Sequence, residues 1–219
     1  MKSIAVIGLD RFGITLATTL SQLGHQLLCI DPDEHAVALV ADIVTNAVCA
    51  NTTNEAALRA ADLKSFDAAV ICISDSMENS LLTVLAVKEI GINNITVRAI
   101  SDDHKKILEK LGITDIIYPE RDMATKLAYR INKSRIREYL EFSNDYSIIE
   151  IAVPEKWVGK TLRNLDVRNT YGINVIAISH PSSHSVDISI NPNNPLSKDD
   201  ALVLLGTDDI ILKFAKTVD

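Results

Sequence analysis

The feature that most constrains this chain is a rhythm. Over the first 140 or so residues, short and nearly continuous apolar runs alternate with longer amphipathic stretches. The runs fall at residues 3–8, 26–31, 47–50, 68–73, 95–99 and 116–118. An apolar run without polar alternation suits a strand covered on both faces, as in a parallel sheet between helix layers. Helical patterns fill the intervals at 12–23, 33–41, 54–61, 78–90 and 102–111, and Leu81, Leu82, Leu85, Val87 and Ile90 give the fourth an apolar stripe. Gly24, Gly91 and Gly112 follow three of these stretches, where a left-handed cap is wanted. Right-handed crossovers then predict a doubly wound parallel α/β sheet. With 47% apolar residues, the chain is not of the disordered class. Its net charge of −7 argues against a broad electrostatic grip on nucleic acid, and no nucleic-acid partner is expected. No apolar run reaches the roughly 18–20 residues that span a bilayer. Met1-Lys2-Ser3 leads straight into the first strand without a leader, so a cytoplasmic location is expected.

After residue 120 the rhythm changes. Residues 121–140 read as one long charged helix, carrying Lys126, Arg130, Lys133, Arg135, Arg137 and Glu138. A strand-like run follows at 146–153, then a short helical stretch near 160–165, strands at 173–178 and 201–205, and a last helix at 208–216. Pro154, Pro181, Pro192 and Pro195 crowd this part, with a Ser/Asn-rich segment at 179–194 that reads as loop. The expected organisation is one domain over 1–142 and a smaller, β-rich one over 143–219. Cys29, Cys49 and Cys72 each sit in an apolar run without C-x-x-C spacing, and are expected to be small buried hydrophobes.

The first strand runs into Gly8-Leu9-Asp10-Arg11-Phe12-Gly13, which has the spacing of a dinucleotide-binding turn. The first glycine makes the tight turn and the third lets helix and strand pack closely. The middle position normally lets backbone approach a pyrophosphate at the helix N-terminus. Here it is Asp10. At about 4 Å and an effective dielectric of about 20, its carboxylate would repel a unit negative charge by roughly 4 kcal/mol before screening. Asp31 ends the second strand 23 residues after Gly8, where an acid accepts hydrogen bonds from a ribose diol and disfavours a 2′-phosphate. Asn51-Thr52 and Ile73-Ser74-Asp75 follow strands three and four, on the side where such sheets bind ligands. Each has a plainer reading: Asp31 as a turn before Pro32, Asn51–Asn54 as a helix cap, and the whole as a fold that has lost its ligand.

With these residues in hand, the chain resembles the regulatory subunits of Trk/Ktr potassium-uptake systems, of the KtrA/TrkA type. These pair a Rossmann-like RCK (regulator of K⁺ conductance) N-domain with a TrkA-C-like domain. The resemblance rests on residues 4–9 with Arg11-Phe12-Gly13, on Gly24-His25, Asp31, Val97-Arg98-Ala99 and 108–112, and above all on Pro119-Glu120-Arg121-Asp122-Met123. In the second domain Asp166-Val167-Arg168, Tyr171-Gly172 and Asp199 also match. It implies a non-enzymatic gating subunit, homo-oligomeric through dimers that build an octameric ring, peripheral on the inner face of the membrane through a membrane-embedded potassium-translocating subunit. It further implies ATP and ADP as ligands of the glycine turn. Arg11 would reach the terminal phosphate of a neighbouring protomer's nucleotide, Arg98 would line the phosphate side, and Glu120 would help hold Mg²⁺ or Ca²⁺. Cyclic di-AMP is implied for the second domain, through Arg168, Asn174 and Ile176, whose plainer reading is two loop residues and a core strand residue. Two departures stand out: Asp10 replaces the usual middle glycine, and Ser74-Asp75 replace a small Gly-Ala-like pair. They lead to the expectation that nucleotide binding depends on a cation.

The alternatives are a small NAD-dependent oxidoreductase, which shares the fold, and a ring subunit with a vestigial site. Against the enzyme stands the lack of an acid–base pair placed for hydride chemistry. His180 and His184 are four apart in a Pro/Ser segment and make a poor metal pair. His25, His35 and His104 read as surface groups, Asp102-Asp103 as a helix start, and Trp157 as an anchor of the second domain.

Overall fold

A computed structural model describes residues 1–132, 136–143, 145–183 and 185–217. It divides into two compact units, Met1–Pro119 and Glu120–Asp219.

The first unit alternates strand and helix as the apolar rhythm requires. Its strands are β1 (Ser3–Ile7), β2 (Gln26–Asp31), β3 (Asn46–Cys49), β4 (Ala68–Ile71), β5 (Ile95–Arg98) and β6 (Asp115–Ile117). Between them run α1 (Arg11–Gln22), α2 (Glu34–Val40), α3 (Glu55–Ala60), α4 (Met77–Ile90) and α5 (Asp102–Lys110). The strands lie in the order β3-β2-β1-β4-β5-β6 and every pairing is parallel. The strand order reverses direction between β1 and β4, so their carboxyl ends open a crevice. One apolar layer holds Ile7, Leu28, Ile30, Ile71, Val84 and Val97. The other holds Val6, Ala17, Leu27, Cys29, Val40 and Cys72. Successive residues of β1 and β2 thus face opposite layers, and both faces need to be apolar.

The second unit takes all of α6 (Pro119–Asn132) but its first residue. The single helix expected over 121–140 is a helix followed by a strand, β7 (Ile136–Ser143), with Lys133 and Arg135 outside the described residues. Ile136, Tyr139 and Leu140 are spaced as a helix stripe would be, but β7 pairs antiparallel with β8 (Tyr146–Ala152), setting Tyr139 opposite Ile149 and Leu140 opposite Ile148. Tyr139 packs on the core of this unit and accepts a hydrogen bond from Ser147 Oγ at 2.9 Å. Cross-strand partners, which no local pattern contains, decide the conformation here. Next come α7 (Leu162–Leu165), α8 (Val167–Tyr171), β9 (Asn174–His180), β10 (Ser185–Asp187), β11 (Ala201–Thr207) and α9 (Asp208–Thr217). The sheet order is β10-β9-β11-β8-β7, antiparallel throughout. The Ser/Asn-rich segment read as loop contains β10, paired with β9. Trp157 packs with Phe214 and Tyr171, ring centroids 5.4 and 5.5 Å away, and so anchors this core.

Two readings of single residues change. Cys49 is exposed, while Cys29 and Cys72 are buried and their thiols are pushed up to about 12 by burial. His104 is fully buried rather than on the surface. Ser101 Oγ, capping α5, accepts its backbone N–H, and its Nδ1 accepts the N–H of Ile100. His180 Nδ1 lies 2.7 Å from Asp200 Oδ1, and His184 lies outside the described residues.

Candidate nucleotide site

The site grows out of the β1–α1 turn. Gly8 has φ +97°, and a Cβ there would stand 2.9 Å from the Ile73 nitrogen. At Gly13 a Cβ would stand 2.0 Å from the Gly8 carbonyl oxygen. Both glycines are therefore demanded by the chain's own packing, one by its left-handed backbone and one by the close approach of α1 to β1. The position between them has no such demand. Asp10 is extended (φ −69°, ψ −175°) and is the N-cap of α1.

The Asp10 side chain is held from four directions. The N–H groups of Phe12 and Gly13 both donate to Oδ1 at 3.0 Å. Ser74 Oγ–H donates to Oδ2 at 2.7 Å, and Arg98 Nη1 meets the same oxygen at 2.6 Å. Arg98 is buried at the carboxyl end of β5, with its guanidinium over the Phe12 ring, 5.0 Å from the centroid. Burial pulls the Asp10 pKa up. The hydrogen bonds from Gly13, Ser74 and Arg98, with the Arg98 charge, outweigh it and leave the pKa below its ordinary value. A capping side chain of this kind contributes about 1 kcal/mol to its helix. The bare like-charge repulsion expected from the sequence is therefore modified: the carboxylate is neutralised by Arg98, and the obstacle to a phosphate is competition for donors already in use.

Asp31 closes the other side. Its Oδ2 accepts the Leu9 N–H at 2.6 Å and its Oδ1 the Asp33 N–H at 2.8 Å. Each oxygen keeps a lone pair for a ligand hydroxyl. Between Asp31 and Asp10 lies a cavity of about 280 Å³, lined also by Gly8, Thr52, Ile73 and Ser74. That is just below the roughly 300–1,000 Å³ typical of ligand pockets.

The residues singled out from sequence divide accordingly. Gly8, Asp10, Asp31, Thr52, Ile73 and Ser74 meet at the cavity, and Phe12, Gly13 and Arg98 join it through Asp10. Asn51 turns its Oδ1 to the Thr53 N–H, shaping its own loop, and Thr52 is buried against Thr83. Arg11 is exposed at the first position of α1. Glu120 belongs to the second unit, in the first turn of α6. Asp33 and Asn79 line the cavity unforeseen; Asp33 caps α2 just past the end of β2, a position that could have marked it, and Asn79 lies in the first turn of α4. In the second unit, Arg168 and Asn174 line one surface hollow with Arg163 and Asp166. Ile176, read also as core, is an exposed residue of β9, skipped between Val175 and Ala177 in the pairing with β11.

Comparison with known proteins matches both units. A TrkA-N domain model matches residues 4–119 and a TrkA-C domain model residues 146–219. The chain is 37% identical to Ktr system potassium uptake protein C of Bacillus subtilis, over 99% of this chain and 97% of that protein. It is 36% identical to Ktr system potassium uptake protein A of the same organism, over 97% and 95%. Among solved structures, the AMP-bound C-terminal domain of a Shewanella denitrificans Kef protein shares 27% identity, with a TM-score of 0.51, over 59% of this chain and 79% of that one.

Proposed function

The chain belongs to the family of potassium-uptake proteins that join a TrkA-N to a TrkA-C domain, and on that premise we propose that it regulates a Ktr/Trk-type potassium-uptake system in response to an adenine nucleotide. The observation that carries the ligand half is the cavity at the carboxyl ends of β1, β2 and β4, with Asp31 at one end and the Asp10–Arg98 pair at the other. Full-length relatedness to two Ktr uptake proteins carries the other half. Those relatives are named as uptake proteins and not as enzymes, and the oxidoreductase alternative is set aside.

In this reading the nucleoside end lies toward Asp31, whose free lone pairs take ribose hydroxyls. The phosphate end points toward α1, Ser74 and Arg98. ATP and ADP are the pair whose exchange would switch the protein, since a phosphate present in only one ligand gives differential contacts, and only those move a conformational equilibrium. Arg11 would serve a neighbouring protomer's ligand, and Glu120 would help hold Mg²⁺ or Ca²⁺. The partner is a membrane-embedded potassium-translocating subunit, reached from the cytoplasmic side by a ring of dimers. Among the described residues no helix is long and apolar enough to cross a membrane, so contact with the bilayer would come through that partner. The hollow holding Arg163, Arg168 and Asn174 supports a second ligand, cyclic di-AMP, for the smaller domain.

The test is potassium uptake by cells carrying the translocating subunit with the wild-type chain or Asp31→Ala, alongside calorimetry of AMP, ADP and ATP on the purified proteins. Uptake restored by wild type, with nucleotide affinity weakened about tenfold in Asp31→Ala, the worth of one hydrogen bond to a charged group, is expected. No nucleotide heat in either protein would remove the ligand half. Uptake indifferent to the chain would remove the other.

A further inference from the structure

We propose that Asp10 is an internal stand-in for a phosphate, seated on the donors a nucleotide's phosphates would use, so that the cation-free site takes adenosine or its monophosphate and gains nothing from further phosphates. The inference rests on the adenine-nucleotide reading above and names which of those ligands the site accepts. A helix N-terminus with a buried arginine beside it is a seat for an anion. Here the seat is filled from within. The two free amides of α1, the Ser74 hydroxyl and the Arg98 guanidinium all converge on one carboxylate. Ser74 sits in the loop three residues beyond the neighbouring strand β4, so two distant stretches of sequence cooperate to hold Asp10 in place.

The rest of the cavity carries the same preference. Asp31, Asp33 and Asp75 line it together with Asp10, and none of its lining residues is Lys or Arg. A triphosphate would have to evict the Asp10 carboxylate, break its pairing with Arg98 and leave it facing the incoming charge. A ribose needs none of this, because Asp31 keeps an acceptor for it on either oxygen. A divalent cation, held among these carboxylates, would supply counter-charge and lift the penalty, so discrimination is expected to be sharpest in chelator.

The experiment is calorimetry of adenosine, AMP and ATP on the full chain in EDTA, using wild type, Asp10→Gly and Asp10→Asn. Asp10→Asn keeps a capping oxygen and serves if the glycine variant fails to fold. Wild type is expected to bind ATP no more tightly than adenosine. Both variants should gain about ten- to a hundredfold for ATP, the worth of one or two charge-assisted hydrogen bonds, while adenosine affinity stays within about threefold. Ser74→Ala, which loosens Asp10, should gain part of this. ATP binding that is equal in wild type and both variants would overturn the stand-in and leave the nucleotide reading intact. Binding of none of the three ligands by any of the proteins would overturn both.

Discussion

A single carboxylate shows how much turns on one side chain in a crowded turn. Asp10 is partly exposed, yet it is the hub of the β1–α1 crevice, because four donors reach it. Its pKa in the fold is lower than the ordinary 3.8, so the folded state holds its proton less tightly than the unfolded chain. Stability from this contact is complete above about pH 4 and is lost as pH falls further, through the folded value. Asp10→Asn should therefore be less stable than wild type at pH 7, by about 1 kcal/mol, with the gap closing toward pH 3, as read by urea unfolding across that range. A gap that stays constant with pH would mean the charge is idle. His104 works in the same direction, at a pH nearer neutrality. Burial depresses its pKa below 6.5, so unfolding takes up a proton as pH falls below that value, and stability drops there. The cysteines separate by exposure. With Cys29 and Cys72 buried and held protonated, Cys49 alone should react with a thiol reagent in the native state, and all three in denaturant. Rapid native labelling of a second thiol would contradict this core.

At the scale of elements, helix starts in the first unit are written locally. Ser76 Oγ accepts the Asn79 N–H and starts α4, Asn54 starts α3, and Ser101 starts α5. Ser76→Ala should cost about 1 kcal/mol, visible as a fall of a few degrees in Tm, and no change in Tm would show the cap to be redundant. Such capping and the apolar rhythm made nearly all of the parallel unit readable from sequence, because each signal lies within one turn or one strand of the residue it governs. The stretch after Asn132 was not readable in this way. Ile136, Tyr139 and Leu140 satisfy a helix period, and their conversion to strand depends on β8, whose pairing residues come after the turn. β10 was missed for a related reason: three residues in a polar segment become a strand only because β9 offers an edge.

The whole molecule has two units with separate apolar cores, one sheet parallel and double-faced, the other antiparallel with alternating burial along β8 and β11. The sole tryptophan sits in the second core, ringed by Tyr171 and Phe214. Trp157→Ala should destabilise that unit by about 3–5 kcal/mol, seen as an earlier unfolding transition by circular dichroism. An unmoved transition would show the aromatic cluster to be dispensable. By itself, the sequence determined the doubly wound sheet, the glycine turn, Asp31 at the end of β2 and the family resemblance, since each is a matter of period, spacing or a short motif. Only the tertiary structure decided that Asp10, Ser74 and Arg98 form one cluster. They stand 64 and 88 residues apart along the chain, and whether an acid repels a phosphate or replaces it depends on which donors surround it in space.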